Sequence, residues 1–120
     1  MGDGYMCGRN VKMKESLSHF CGISFLPKWD FFFCGLQTEV GEISLRTEPG
    51  VLTMYAVGEK ENPCKVMILE TYASREAYEK HIASEHFQKY KQGTLHMVKS
   101  LVLSDQKPLN PANKLNNFMQ

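Results

Sequence analysis

Two apolar runs joined by a short polar segment place the tightest limit on how this chain can fold. Residues 51–57 and 65–72 are rich in β-branched, aromatic and aliphatic side chains, and Asn62-Pro63 marks a turn between them. Their lengths and the short connection predict an antiparallel hairpin. Successive residues of a strand point to opposite faces of the sheet, and residues 51–57 place apolar side chains on both faces. The predicted sheet therefore needs cover on both faces.

A helix is predicted before this hairpin and a pair of short helices after it. The first helix is indicated by apolar residues spaced four, three, four and three apart, and Pro49-Gly50 ends it. Ser74 and Ser84 are both well suited to cap a helix N-terminus, which predicts the two later helices. The apolar stripe of the first helix consists of Trp29, Phe33, Leu36, Val40 and Ile43.

Strands predicted near both ends of this series complete the architecture. Residues 19–26 form an irregular candidate because Gly22 interrupts them, and residues 99–104 form the last strand. The resulting order is βαββαβ, which is the ferredoxin-like α+β arrangement with one four-stranded antiparallel sheet. Helices would cover one sheet face, and we expect a homodimer to bury the other face.

The composition fits one domain without an electrostatic partner. The chain has 120 residues and a formal net charge of +1, from 14 basic and 13 acidic residues. Neither nucleic acid nor a membrane is therefore an expected partner. We divide the chain into a flexible N-terminal extension (1–15), one ferredoxin-like domain (16–106) and a C-terminal tail (107–120).

The cysteines are expected to be free thiols in the cytoplasm. Cys7, Cys21, Cys34 and Cys64 are scattered and form no CxxC pair, which argues against a zinc cluster or a thioredoxin-type motif. The first residues lack the basic start and the apolar run of a secretory signal.

His81 and Glu70 are the first candidates for chemistry. His81 lies on the apolar edge of a predicted helix, where it is either a hydrogen-bonded core residue or a pocket-lining base. Glu70 shares a strand face with Ile68 and Tyr72, so its carboxylate must be paired, solvated or protonated. It could form a strand-end ion pair, orient a histidine or contact a substrate.

Aromatic residues and a second histidine complete the candidate substrate-binding set. Tyr55 and Tyr72 occupy strand positions that could face the helices, as core residues or as pocket walls. Phe87 is predicted to lie in the core or in the same wall. His86 precedes it in the first turn of a helix, where it is exposed, caps the helix or lines the pocket.

No cofactor motif accompanies these residues. His81 and His86 are five residues apart with no carboxylate at a matching helical spacing, so no metal site is predicted. No glycine-rich loop indicates a nucleotide or a flavin. No serine or cysteine lies in a nucleophile motif. The sequence therefore predicts a site that works without a cofactor.

Three short motifs occur in order along the chain. A Glu-Pro-Gly turn lies within residues 46–52, a Glu-x-Tyr strand end is formed by Glu70 and Tyr72, and a His-x4-His-Phe pattern begins at His81. With these motifs, residues 39–109 resemble the antibiotic biosynthesis monooxygenase domain family, in particular its small quinol-monooxygenase-like members. The resemblance implies a dimeric α+β barrel with a pocket between sheet and helices in each subunit.

The resemblance also implies a reaction. Such relatives oxidise polycyclic phenols or quinols with molecular oxygen and use no flavin, haem or metal. On the matching positions His81 would be the base or a hydrogen-bond partner, Tyr72 and Glu70 would orient the substrate, and Phe87 would wall the pocket. The first strand departs from the family pattern, so His19 is either displaced into the site or irrelevant to it.

Other members of the family leave alternatives open. Haem-degrading relatives need a histidine on the second short helix, where this chain has Tyr90 and Lys91, so haem is disfavoured. Further relatives isomerise a small phosphorylated metabolite. A non-catalytic dimer that binds small ligands or responds to stress is the third alternative, because a fold does not fix a function.

Overall fold

A four-stranded antiparallel sheet with helices on one face forms the centre of the structure. The computed structural model describes residues 16–109, so the predicted extension and residues 110–120 of the predicted tail lie outside the described residues. In chain order the elements are β1 (Leu17–Phe25), a 3-10 turn (Pro27–Trp29), α1 (Asp30–Thr47), β2 (Val51–Gly58), β3 (Lys65–Tyr72), α2 (Arg75–Ala83), α3 (Glu85–Thr94) and β4 (Val98–Gln106).

The strand order is β2-β3-β1-β4, which confirms the predicted ferredoxin-like α+β fold. The interruption predicted at Gly22 is wrong, because β1 is a central strand paired with both β3 and β4 there. An irregularity does occur in this strand, but it is a register shift against β4 between Ser24 and Phe25. Gly22 pairs with Met67 on one side and Val102 on the other. Pairing with two neighbours outweighs the weak strand preference of one glycine.

A serine caps the start of each of the two short helices. The Ser74 hydroxyl accepts a hydrogen bond from the Ala77 N–H at 3.1 Å, and the Ser84 hydroxyl accepts one from the Phe87 N–H at 3.2 Å. Each cap satisfies a backbone donor that the helix itself leaves free. Ser84 ends α2 and begins α3, so the chain turns sharply there.

The core lies between the sheet and α1. Phe25 of β1 stacks on Phe33 of α1, with ring centroids 4.5 Å apart, and both rings are buried. The predicted apolar stripe of α1 is confirmed at Phe33 and Val40. The same face also buries Gln37, whose side chain accepts a hydrogen bond from the Tyr90 hydroxyl at 2.7 Å and so joins α1 to α3.

Large apolar side chains are exposed on the sheet face opposite the helices, within the part of the chain that the structure describes. Phe20, Leu69 and Tyr55 pair in one row across β1, β3 and β2, and Leu69 is 40% exposed. Val57 and Val102 are exposed beside them on the same face. Separately, none of the helices among residues 16–109 combines the length and the apolar character needed to cross a membrane.

This outer face generates a prediction about assembly. We expect the protein to form a dimer through the sheet face, because an exposed row of large apolar residues gains free energy when a second copy covers it. Leu69→Lys should convert the dimer to a monomer in size-exclusion chromatography with light scattering. Leu95→Lys, which alters an exposed leucine at the end of α3, should leave the dimer intact. A monomeric wild-type protein at micromolar concentration would refute the prediction.

Candidate active site

The two histidines of α2 and α3 converge on one carboxylate oxygen. Glu48 directly follows α1, and its Oε2 lies 2.9 Å from Nδ1 of His81 and 2.5 Å from Nε2 of His86. The side chains are 15% exposed for Glu48, 4% for His81 and 20% for His86. We call these three residues the Glu-His-His cluster. It joins the turn after α1 to the α2–α3 corner.

Gly50 allows the Glu48 turn to reach α2. A Cβ atom at Gly50 would lie 2.5 Å from the Cβ of Ala77, a separation that no other residue type could accept without a shift of the backbone. The Gly50 carbonyl also accepts a hydrogen bond from the Ala73 N–H at 2.8 Å. The absence of a side chain at Gly50 therefore places Glu48 beside His81.

Glu48 determines which nitrogen of His81 carries the proton. An ionised carboxylate only accepts hydrogen bonds, so the network assigns the proton of His81 to Nδ1. The lone pair then lies on Nε2, on the side of the ring away from Glu48. Burial lowers the pKa of His81, and Glu48 opposes that shift only in part. The outcome is a neutral imidazole with a free acceptor nitrogen.

Aromatic rings surround His81 on the inner side of the sheet. Its ring centroid lies 5.5 Å from that of Tyr72 and 5.0 Å from that of Phe87. Tyr72 is fully buried, and its ring lies 5.2 Å from that of Tyr78. These edge-to-face and tilted contacts form a closely packed apolar wall beside His81.

Glu70 lies in this wall and interacts with Tyr72. The Tyr72 hydroxyl donates a hydrogen bond to Oε1 of Glu70 at 2.9 Å. Burial raises the pKa of Glu70, and the bond from Tyr72 lowers it in part. Burial and the Glu70 carboxylate also raise the pKa of Tyr72, so this phenol keeps its proton. Of the open roles for Glu70, the structure shows a contact with Tyr72 and no ion pair with a helix cation among the described residues.

His19 extends the same cluster from the first strand. It lies on the inner face of β1, is 3% exposed, and its Nε2 is 3.1 Å from Oδ1 of Asp105. Its ring centroid is 4.8 Å from that of Tyr78. Within the described part of the chain Nδ1 of His19 is buried and has no hydrogen-bond partner. His19 thus packs in the ring cluster from a regular position of β1.

Two features of the candidate set differ from the sequence-based picture. The prediction that Tyr55 faces the helices is wrong, because it pairs with Leu69 on the outer face and is 67% exposed. Glu48 is not among the sequence-based candidates, and its place in the Glu-Pro-Gly motif is the local signal that marks it.

A carboxylate from a third element joins the two histidines. Glu48 lies outside both of their helices, so the helical spacing that argues against a metal site does not include it. The candidate donor atoms of Glu48, His81 and His86 all lie within 4.8 Å of one another, an arrangement that could hold a metal ion.

An open cavity of about 450 Å³ adjoins the cluster. It lies against the Glu-Pro-Gly turn and along α2, and its lining includes Glu48, Gly50, Ser74, Lys80 and Ser84. Glu48 therefore faces this cavity as well as the two imidazoles.

Comparisons with known proteins point to one family. The family model described as "Antibiotic biosynthesis monooxygenase" matches residues 36–93. A solved "Putative antibiotic biosynthesis monooxygenase" from Bacteroides thetaiotaomicron is 46% identical over 79% of this chain and 90% of that chain, with a TM-score of 0.78.

More distant structures share the fold. One solved as an antibiotic biosynthesis monooxygenase is 20% identical over 78% of this chain and 98% of that chain, with a TM-score of 0.70. A protein from Pseudomonas aeruginosa is 18% identical over 81% of this chain and 97% of that chain, with a TM-score of 0.73. A sequence comparison with curated proteins finds no match.

The close approach at Gly50 generates one prediction. Gly50→Ala should destabilise the protein by about 1–3 kcal/mol, because the added methyl group overpacks the contact with Ala77. Gly35→Ala is the matched control, because a Cβ atom at Gly35 meets no other atom within 4 Å. Gly35 lies in the interior of α1, so alanine there should stabilise the protein by about 0.5–1 kcal/mol. Urea unfolding measures both changes. Equal effects of the two substitutions would contradict the packing argument.

The Glu48–His81 hydrogen bond generates a second prediction, about pH. Glu48→Gln should lower the pKa of His81 further, because the carboxylate favours the imidazolium and its charge is lost. NMR titration of the His81 ring measures this, and a rise in the pKa would contradict it.

The lowered pKa of His81 also makes the stability of the wild type depend on pH. An unfolded histidine takes up a proton near pH 6.5, whereas folded His81 stays neutral to a lower pH. The free energy of unfolding should therefore fall as the pH drops from about 6.5 toward the folded pKa.

Proposed function

Because the chain belongs to the antibiotic biosynthesis monooxygenase family, we propose that it oxidises a quinol or another small aromatic with molecular oxygen and without a cofactor. His81 is the proposed base. The observation that carries the proposal is the 2.9 Å hydrogen bond from Nδ1 of His81 to Glu48, which leaves Nε2 able to accept a proton.

The proposed reaction begins with proton transfer. An acidic hydroxyl or ring C–H of the substrate gives its proton to Nε2 of His81, and the resulting anion is electron-rich enough to reduce oxygen directly. One oxygen atom enters the product in place of two hydrogen atoms, and the other leaves as water. His81 then returns its proton to this second oxygen atom as it departs, which completes the water molecule. A positioned base of this kind contributes roughly 10²–10⁴-fold to a rate.

The surroundings of His81 suit this step. Burial keeps the imidazole neutral, so that it is a base at neutral pH. Tyr72 and Phe87 pack their aromatic rings around it, which makes an apolar environment that would exclude water from the anion. Glu48 holds the ring in one tautomer, which makes it a positioning residue in this scheme.

Three further groups would orient the substrate. Tyr72 and Glu70 are joined by a hydrogen bond, so their dipoles are fixed before a ligand arrives. The unpartnered Nδ1 of His19 is a polar atom that a substrate hydroxyl could satisfy. His86 acts through Glu48 in this scheme and does not need to touch the substrate.

The proposal includes a homodimer and a cytoplasmic location. The apolar row of Phe20, Leu69 and Tyr55 supports pairing of two sheets. Cys34 is an exposed free thiol, and a reducing compartment would preserve it.

The reaction predicts the behaviour of a variant that keeps the hydrogen bond but loses the base. The amide nitrogen of Asn replaces Nδ1 as a donor to Glu48, while nothing replaces Nε2. In His81→Asn, oxygen uptake with a panel of reduced naphthoquinones should fall by roughly 10²–10⁴-fold. His96→Ala is the control, because His96 is exposed and packs on Trp29.

The outcome separates the alternatives. Oxygen uptake by the wild type that survives in His81→Asn would refute His81 as the base. Thermal stabilisation of the wild type by aromatic compounds with no turnover would favour a ligand-binding dimer. Conversion of a small phosphorylated metabolite without oxygen uptake would favour an isomerase.

A further inference from the structure

We propose that the Glu-His-His cluster binds one divalent transition-metal ion such as Zn²⁺ through Nδ1 of His81, Nε2 of His86 and a carboxylate oxygen of Glu48. The three candidate donor atoms lie within 4.8 Å of one another and come from three separate elements of the fold. Two imidazoles and one carboxylate form a ligand set that zinc and neighbouring metals favour.

The geometry requires only a small adjustment. Donors bonded to a tetrahedral zinc ion at about 2.1 Å stand about 3.4 Å apart. The present N···O separations of 2.9 and 2.5 Å would therefore open by less than about 1 Å. The two nitrogens lie within 4.8 Å of each other and would close by up to about 1.4 Å. Glu48 has extended backbone just outside α1, and His86 lies in the first turn of α3, so both side chains can turn without disturbing a helix interior.

An ion can reach the cluster and keep a water ligand. The side chain of His86 is 20% exposed, and Glu48 lines the open cavity of about 450 Å³. That cavity also contains Lys80, which opposes a cation, and Glu76, which balances it. Three protein ligands with a fourth, open position are typical of zinc sites that are accessible to solvent.

Metal binding changes the chemistry of His81. In the hydrogen-bonded state Nδ1 carries the proton and Nε2 holds the lone pair. A metal ion takes the lone pair of Nδ1, so the remaining proton moves to Nε2 and this nitrogen becomes a donor. Metal occupancy and base catalysis by His81 therefore exclude each other, so the ion inhibits the reaction; this consequence rests on the proposed function.

Binding is tested without substrate, on full-length protein freed of metal with a chelator. Isothermal titration with Zn²⁺ and the visible absorption of Co²⁺ should show one site per chain. Loss of an outer-shell partner already weakens metal binding roughly 10–100-fold, so His86→Ala, which removes a direct ligand, should weaken it by at least about 100-fold. His96→Ala should bind as the wild type does. Every protein carries Cys34→Ser, because that exposed thiol is a competing zinc ligand.

The results discriminate sharply. Circular dichroism checks that His86→Ala and Glu48→Gln are folded. Zinc binding by both variants with wild-type affinity would refute the site. A wild-type protein that binds no metal would refute it as well. Zinc should also abolish oxygen uptake in the wild type, and uptake that continues at saturating zinc would refute the inhibition. A protein that binds zinc through the cluster but never consumes oxygen would refute the proposed function and leave the metal site standing.

Discussion

The two hydrogen bonds that end on one oxygen of Glu48 decide what the rest of the site can do. They join the turn after α1 to the corner between α2 and α3. They also set the tautomer of His81, and with it the side of the ring that can accept a proton. Since this carboxylate is only 15% exposed, its charge is weakly screened by solvent. The Glu48 side chain thus links the packing of α1, α2 and α3 to the reactivity of His81.

Most of the fold could be predicted because it depends on periodicity and local signals. The hairpin, the stripe of α1 and the serine caps at Ser74 and Ser84 are all properties of neighbouring residues. The interruption predicted at Gly22 of the first strand is absent, because that prediction used local preference alone. Gly22 lowers its intrinsic preference, but pairing with β3 and β4 on both sides is a tertiary effect that no local pattern contains.

The candidate site was predictable in part for the same reason. His81, Glu70 and Tyr72 could be placed on inward faces by the periods of helix and strand, and the structure places them there. Glu48 and His86 could not be joined, because they are 38 positions apart and a hairpin and a helix lie between them. Tyr55 was misplaced because β2 is apolar on both faces, so that alternation does not say which face is inward. The register with β3 supplies that information.

The same cluster supports two chemical states because neutral imidazole presents a donor and an acceptor on opposite sides of one ring. With a proton on Nδ1, His81 pairs with Glu48 and offers a base to the aromatic wall. With a metal on Nδ1, the proton lies on Nε2, and His81 offers a hydrogen-bond donor to the aromatic wall in place of a base. Neither state needs a change of fold, since the distances between the donor atoms change by about 1.4 Å or less. Gly50, which lets the turn approach α2, thus holds the carboxylate close enough for both states.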